Sequence, residues 1–186
     1  GDDGNWTLQQ VSVNDTGEEG IEGDDGNWTL QQVSVANTGD EGIEAGDGNW
    51  ALRNVSVAGT DDQGLNAGSV DGDWTIRNTS VTDADGDGID ANGATGDWTI
   101  RDTAVVNVSA AAVDAASVSG SWSIHDSLFG DYDGVGVDAT DATQTVDATD
   151  NFWLNGDDTD EPTVTANGSA TGDCVGNVDC DPFSIT

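Results

Sequence analysis

Tryptophan recurs in this chain at near-constant spacing: Trp6, Trp28, Trp50, Trp74, Trp98 and Trp122 lie 22, 22, 24, 24 and 24 residues apart. Segments 1–22 and 23–44 differ at only three positions, Asn14/Ala36, Asp15/Asn37 and Glu18/Asp40, so one structural unit has been copied. A period of this length marks units that bury their apolar sides only by stacking on one another.

Alignment on tryptophan shows what each unit contains. Two places on stands Leu8, Leu30, Leu52, Ile76, Ile100 or Ile124. Five and seven places on stand Val11 and Val13, Val33 and Val35, Val55 and Val57, then Thr79 and Val81, Thr103 and Val105, Ser127 and Phe129. A last apolar site is Ile21, Ile43, Leu65, Ile89, Val113 or Val137. Apolar residues alternate within Trp-Thr-Leu and within Val-Ser-Val, as in strands with one buried face. Between the two runs the phase slips by one residue in every unit, which predicts a corner. Glycine is abundant, β-branched residues fill the apolar sites and no 3.6-residue period is present, so helix is disfavoured.

Three short strands per unit, each paired with its equivalent in the next, predict an all-β right-handed parallel β-helix, the hand following the rule for parallel crossovers. The register carries on to Trp153, which falls in the Val13/Phe129 column. That gives about seven coils of 22–24 residues, or roughly 30 to 35 Å of solenoid at about 4.8 Å per coil. Residues 1–156 are assigned to the repeats and residues 157–186 to a C-terminal cap. A leucine-rich repeat has a similar period but needs a Leu-x-x-Leu-x-Leu frame, which is missing. The charge and low apolar content would suit a disordered chain, but the strict register argues for a folded one.

Aspartate and glutamate number 37 against three arginines and no lysine, a net charge of −34. This excludes nucleic acid and anionic membranes as electrostatic partners. No apolar run is long enough to span a membrane and no signal sequence opens the chain, which begins within a repeat, so upstream sequence is expected. The residue after the last apolar site forms an acidic column, Glu22, Glu44, Asn66, Asp90, Asp114 and Asp138. Like charges one coil apart repel by roughly 1 kcal/mol per pair even at the dielectric of water. At about 1 M salt the Debye length falls to about 3 Å and this repulsion is screened. The composition resembles that of proteins from salt-loving archaea. Cys174 and Cys180 predict a local disulfide and an oxidising, extracellular setting. Of seven Asn-x-Ser/Thr sequons, Asn14, Asn107 and Asn167 fall in predicted loops and are the better glycan acceptors.

The segments Asp147-Ala148-Thr149-Asp150-Asn151-Phe152-Trp153 and Gly176-Asn177-Val178-Asp179-Cys180-Asp181-Pro182-Phe183 resemble the closing motif of secreted archaeal and bacterial right-handed β-helix proteins of the pectate-lyase-like, NosD-like type. The match covers about a fifth of the chain. It departs from that motif at Asn155-Gly156-Asp157-Asp158, where a Gly-Pro is usual. The resemblance implies the fold. It leaves activity open among surface-layer-associated proteins, adhesins, polysaccharide lyases and hydrolases, and viral spikes.

All the positive charge shares the column Gln9, Gln31, Arg53, Arg77, Arg101 and His125. Stacked arginines can grip the carboxylates of an acidic polysaccharide, with Asp102 and Asp126 as nearby acids, or can simply neutralise neighbouring aspartates. In a chain this acidic, paired carboxylates arise by chance, so they do not argue for a glycosidase. The run Asp83-Ala84-Asp85-Gly86-Asp87-Gly88-Ile89-Asp90 has the alternate carboxylates of a calcium loop, with Asp83, Asp85, Asp87 and Asp90 as ligands, but Ala94 stands where an EF-hand places glutamate. The sequence expectation is therefore a non-enzymatic extracellular structural or adhesive β-helix of a halophile, associating with itself or with surface polysaccharide. A polysaccharide-binding or polysaccharide-cleaving protein and a viral spike are the alternatives.

Overall fold

The computed structural model describes residues 4–154 and 174–180. Each coil contributes a tryptophan strand, a valine strand and a short closing strand. The first coil is β1 (Asn5–Gln9), β2 (Ser12–Thr16) and β3 (Ile21–Gly23); the second is β4 (Asn27–Thr38) and β5 (Ile43–Ala45); the third is β6 (Trp50–Thr60) and β7 (Leu65–Asn66). The fourth is β8 (Trp74–Arg77), β9 (Ser80–Ala84) and β10 (Ile89–Asp90); the fifth is β11 (Trp98–Arg101), β12 (Ala104–Val108) and β13 (Val113–Asp114); the sixth is β14 (Trp122–His125), β15 (Leu128–Tyr132) and β16 (Val137–Ala139). A seventh has β17 (Val146–Asp147), β18 (Phe152–Leu154) and β19 (Cys174–Gly176), and β20 (Val178–Asp179) lies on β17. Six coils are thus complete, one fewer than the expected seven, because residues 155–173, between β18 and β19, are not described.

Among the described residues all strand pairing is parallel. The first two strands of each coil build one bent 13-stranded sheet, and the closing strands build a 7-stranded sheet facing it. Register is kept residue for residue, as in Trp28↔Trp50, Leu30↔Leu52, Val33↔Val55 and Val35↔Val57. Phe129 pairs with Trp153, as the repeat predicts.

The core is a set of columns. The six indoles stack with ring centroids 4.4 to 5.6 Å apart. Across from them stands a small-residue column, Gly23, Ala45, Ala67, Ala91, Ala115 and Ala139. A Cβ at Gly23 would lie 2.5 Å from the Trp50 ring, so wide indoles on one wall need minimal side chains on the other. The indole N–H of Trp28 reaches the Asp24 carbonyl at 3.3 Å, whereas those of Trp50, Trp74, Trp98 and Trp122 have no acceptor among the described residues. Each such N–H costs about 1–3 kcal/mol, a cost that ring stacking and burial of the indoles offset.

The phase slip is a single residue in the left-handed region. Gln10, Gln32, Asn54, Asn78, Asp102, Asp126 and Asp150 have φ of 51° to 59°. Asparagine and aspartate tolerate this conformation better than other side chains with a Cβ. One such residue bends the strand and returns the next apolar side chain to the interior. A second left-handed column, Asp15, Asn37, Gly59, Asp83, Asn107 and Asp131, lies one residue before the end of each valine strand.

The change from 22 to 24 residues falls in the turn before tryptophan: Trp50 follows Ile43 by seven residues and Trp74 follows Leu65 by nine. The longer turn adds a buried residue, Val70, Ala94, Val118 or Ala142. It also changes the acidic column. Asn66, Asp90, Asp114 and Asp138 each accept the backbone N–H two residues on, at 2.9 to 3.1 Å. This Asx turn needs a one-carbon link to the carboxyl, and the two shorter turns carry Glu22 and Glu44 instead.

Candidate functional site

From the fourth coil onward the corner changes chemistry. The residue after the left-handed position is Val11, Val33 and Val55 in the first three coils, then Thr79, Thr103, Ser127 and Asn151, all four buried. The Thr103 hydroxyl donates to the Arg101 carbonyl at 3.0 Å and the Ser127 hydroxyl to that of His125 at 2.9 Å. The Thr103 N–H in turn donates to the Ser127 hydroxyl at 3.2 Å, and the Ser127 N–H to the Asn151 side-chain oxygen at 3.0 Å. The Asn151 amide closes the column by donating to the carbonyls of Ile124 and Ala148 at 2.6 and 2.7 Å. Side-chain bonds of this kind compete with the backbone ladder. β4 and β6 run unbroken through the corner, while the fourth and later coils, and also the first coil with Val11, are split there into two strands.

Where the polar column begins, an open groove of about 840 Å³ begins too, running along four coils. One rim is the corner column Asn78, Asp102, Asp126 and Asp150, and the other is Ser80, Ala104, Leu128 and Phe152. The first rim is exposed and acidic; the second is half-buried and grows more apolar toward Phe152.

The predicted arginine column is real. Arg53, Arg77, Arg101 and His125 occupy one register position in successive coils. Arg101 Nη1 lies 3.3 Å from Asp126 Oδ2, joining the column to the groove rim, and among the described residues Arg53 and Arg77 make no ion pair. His125 is largely buried, with Nδ1 2.9 Å from the Thr149 carbonyl and Nε2 3.4 Å from Asp147 Oδ2. It ties the sixth coil to the seventh. The corner amides bond each other more than the backbone: Asn78 donates to Asn54 one coil before.

Asp83, Asp85, Asp87 and Asp90 fall in different roles. Asp83 is the penultimate residue of β9 and accepts from the Asn107 amide, and Asp85 is exposed in the turn. Asp87 accepts the Ala111 N–H at 2.7 Å, and burial, reinforced by the charges of Asp114 and Asp90, pushes its carboxyl up to about 6. Burial likewise raises Asp90. Among the described residues, carboxylate oxygens converge within 4.8 Å elsewhere, as Glu19 with Glu41 and Glu44, and as Asp40 with Glu41 and Asp62. These groups, on the turn before the closing strand and, for Glu44, within β5 itself, are the geometry nearest to a cation site. Glu41 there accepts from the Asn66 amide at 2.9 Å. The neighbouring Glu41 charge raises Asp40, and burial raises Glu44.

Asn14 and Asn107 are exposed but lie in strands and not in loops, Asn107 in the second left-handed column and Asn14 one residue before it. Asn167 lies outside the described residues. Cys174 and Cys180 are disulfide-bonded. β19 extends the closing sheet and β20 the bent sheet, so the bond links the two sheets at the end of the stack, and the described part of the predicted cap continues the solenoid.

With the columns and the parallel register established, the comparisons agree with the geometry: residues 1–152 match the family described as right handed beta helix region. The chain belongs to this family. A search of curated proteins finds no match to it. Membership fixes the hand of this β-helix and leaves its activity open. Among the described residues, no helix is long and apolar enough to cross a membrane.

Proposed function

We propose that this β-helix is a non-enzymatic extracellular structural module, a rigid rod at the surface of a salt-loving organism. The observation that carries the reading is the use made of its acidic side chains. Asp47, Asn49, Asp73 and Asp97 each accept a backbone N–H from the next coil at 2.8 to 2.9 Å. With the Asx turns, these bonds spend polar groups on holding coil to coil. The −34 charge suits molar salt, and the disulfide suits an oxidising exterior.

The test is mass and shape by light scattering and electron microscopy in about 3 M salt, with and without a calcium chelator. Rods, single or joined end to end, support the reading, and chelator sensitivity would assign an ion to the acidic turns. A stable trimer would favour a viral spike. The second reading, capture of an acidic polysaccharide by the arginine column, is favoured by Arg101 standing beside the groove. Replacing Arg77 and Arg101 with glutamine abolishes retention on polygalacturonate if that reading holds, and unchanged retention removes it.

A further inference from the structure

We infer that the stacked indoles form a one-electron relay, passing an oxidising hole from the buried coils to Trp6. The inference goes beyond the rod reading and does not rest on it.

From Trp122 to Trp6 the rings follow one another with centroids 4.4 to 5.6 Å apart and interplanar angles of 6° to 22°. Faces this close overlap, and a charge on one ring is stabilised by the π face of the next. A single jump along the same column would cover about 24 Å, far longer than any contact step. Competing sinks are scarce. The chain has seven tryptophans against one tyrosine and no methionine, and both cysteines are closed in the disulfide. The hole therefore meets no free thiol or thioether to divert it.

The indole N–H groups decide where the hole stops. An oxidised indole is a strong acid, and loss of its N–H proton traps the hole as a neutral radical. Trp50, Trp74, Trp98 and Trp122 are only 1 to 3 % exposed, and their N–H groups have no acceptor among the described residues. Their protons stay and the charge moves on. Trp28 donates to a backbone carbonyl, which is no base. Trp6 is 43 % exposed, so water can take its proton. Charge pulls the same way. The Gly23 backbone lies against the Trp28 and Trp50 rings. Glu22 and Asp24 flank it, and no other member of the small-residue column has a carboxylate on each side. A cation is stabilised at that end of the stack.

The electrons balance. An outer-sphere one-electron oxidant of the inorganic radical class, at the flank of the sixth coil, takes an electron from Trp122. Each neighbour supplies one in turn, and no atom moves until Trp6 gives its proton to water. A hydrogen-atom donor of the ascorbate or phenol type then restores Trp6, leaving the core unmodified.

Ser121 is exposed beside Trp122. Ser121→Cys carrying a photo-oxidising ruthenium polypyridyl injects the hole there, and transient absorption in about 3 M salt follows the deprotonated indolyl radical. We expect this radical to form, Trp6→Phe to lower its yield several-fold, and Trp74→Phe, which breaks the column, to slow it by an order of magnitude or more. Trp153→Phe, in the separate stack on Phe129, should change neither. Cooperative melting shows which variants fold; if Trp74→Phe does not, Trp6→Phe at its exposed ring decides alone. An unchanged yield in Trp6→Phe overturns the inference. So does an unchanged rate in folded Trp74→Phe, or a loss in Trp153→Phe as large as in Trp6→Phe, whatever the scattering shows about the rod.

Discussion

Asp102 and Asp126 hold φ of 51° and 53°, where a branched Cβ would crowd the neighbouring carbonyl. Asp102→Val should therefore cost about 1–2 kcal/mol and Asp102→Gly much less, read as the shift in denaturation midpoint. Asp87 carries a prediction of opposite sign. Its folded pKa stands at about 6 against an ordinary 3.8, so the folded protein holds this proton more tightly than the unfolded chain. That contribution is complete below about pH 4 and is lost as pH rises through about 6. Asp87→Asn should remove this slope and stabilise the protein by about 1 kcal/mol at pH 7, allowing for solvent screening. No such gain should appear at pH 3, and melting curves across that range decide it. The sequence displays the corner asparagines and aspartates through the phase slip they cause. It conceals Thr79, Thr103, Ser127 and Asn151, because a residue aligned with Val11 reads as apolar until its hydroxyl or amide is seen bonded inside. Ala67 and Ala91 escape for a related reason: small residues carry no periodic signal, although the indoles opposite require them.

Strand positions are legible because alternation and stacking make the same demand on each apolar column. Turn chemistry is less so, since an aspartate looks alike whether it faces water or closes an Asx turn. Asp138 shows the difference: its Oδ1 accepts the Thr140 N–H at 2.9 Å. Asp138→Glu keeps the charge but overshoots that N–H, and should cost about 0.5–1.5 kcal/mol. Glu44→Asp, in a turn two residues shorter, should yield no matching gain, and paired unfolding measurements test both. The run from Asp83 to Asp90 reads as a calcium loop only while it is imagined as one loop. In the fold it is two strand ends and a turn. The carboxylates that do converge, Glu19, Glu41 and Glu44, come from neighbouring coils and are 22 and three residues apart, which no local motif reveals.

For the whole molecule, stacking decides both the fold and its price in charge. Acidic side chains repeat at every coil, so their repulsion sums along the rod. Lowering salt from about 3 M to about 0.1 M lengthens the screening distance from below 3 Å to about 10 Å and should lower the melting temperature markedly. An unchanged melting point would show that the coil-to-coil bonds outweigh the charge. Period and register were enough to predict the solenoid, whereas the groove arises from a change of chemistry between coils that sequence similarity averages away. The indole column has an optical consequence. Six transition dipoles held 4.4 to 5.6 Å apart in near-parallel planes couple as excitons, so the folded chain should carry a split ultraviolet dichroism band that isolated tryptophan lacks. Val146 ends the column, and Trp153 stacks on Phe129 instead. The band therefore reports the first six coils, and its decay on unfolding reads the stack without a label.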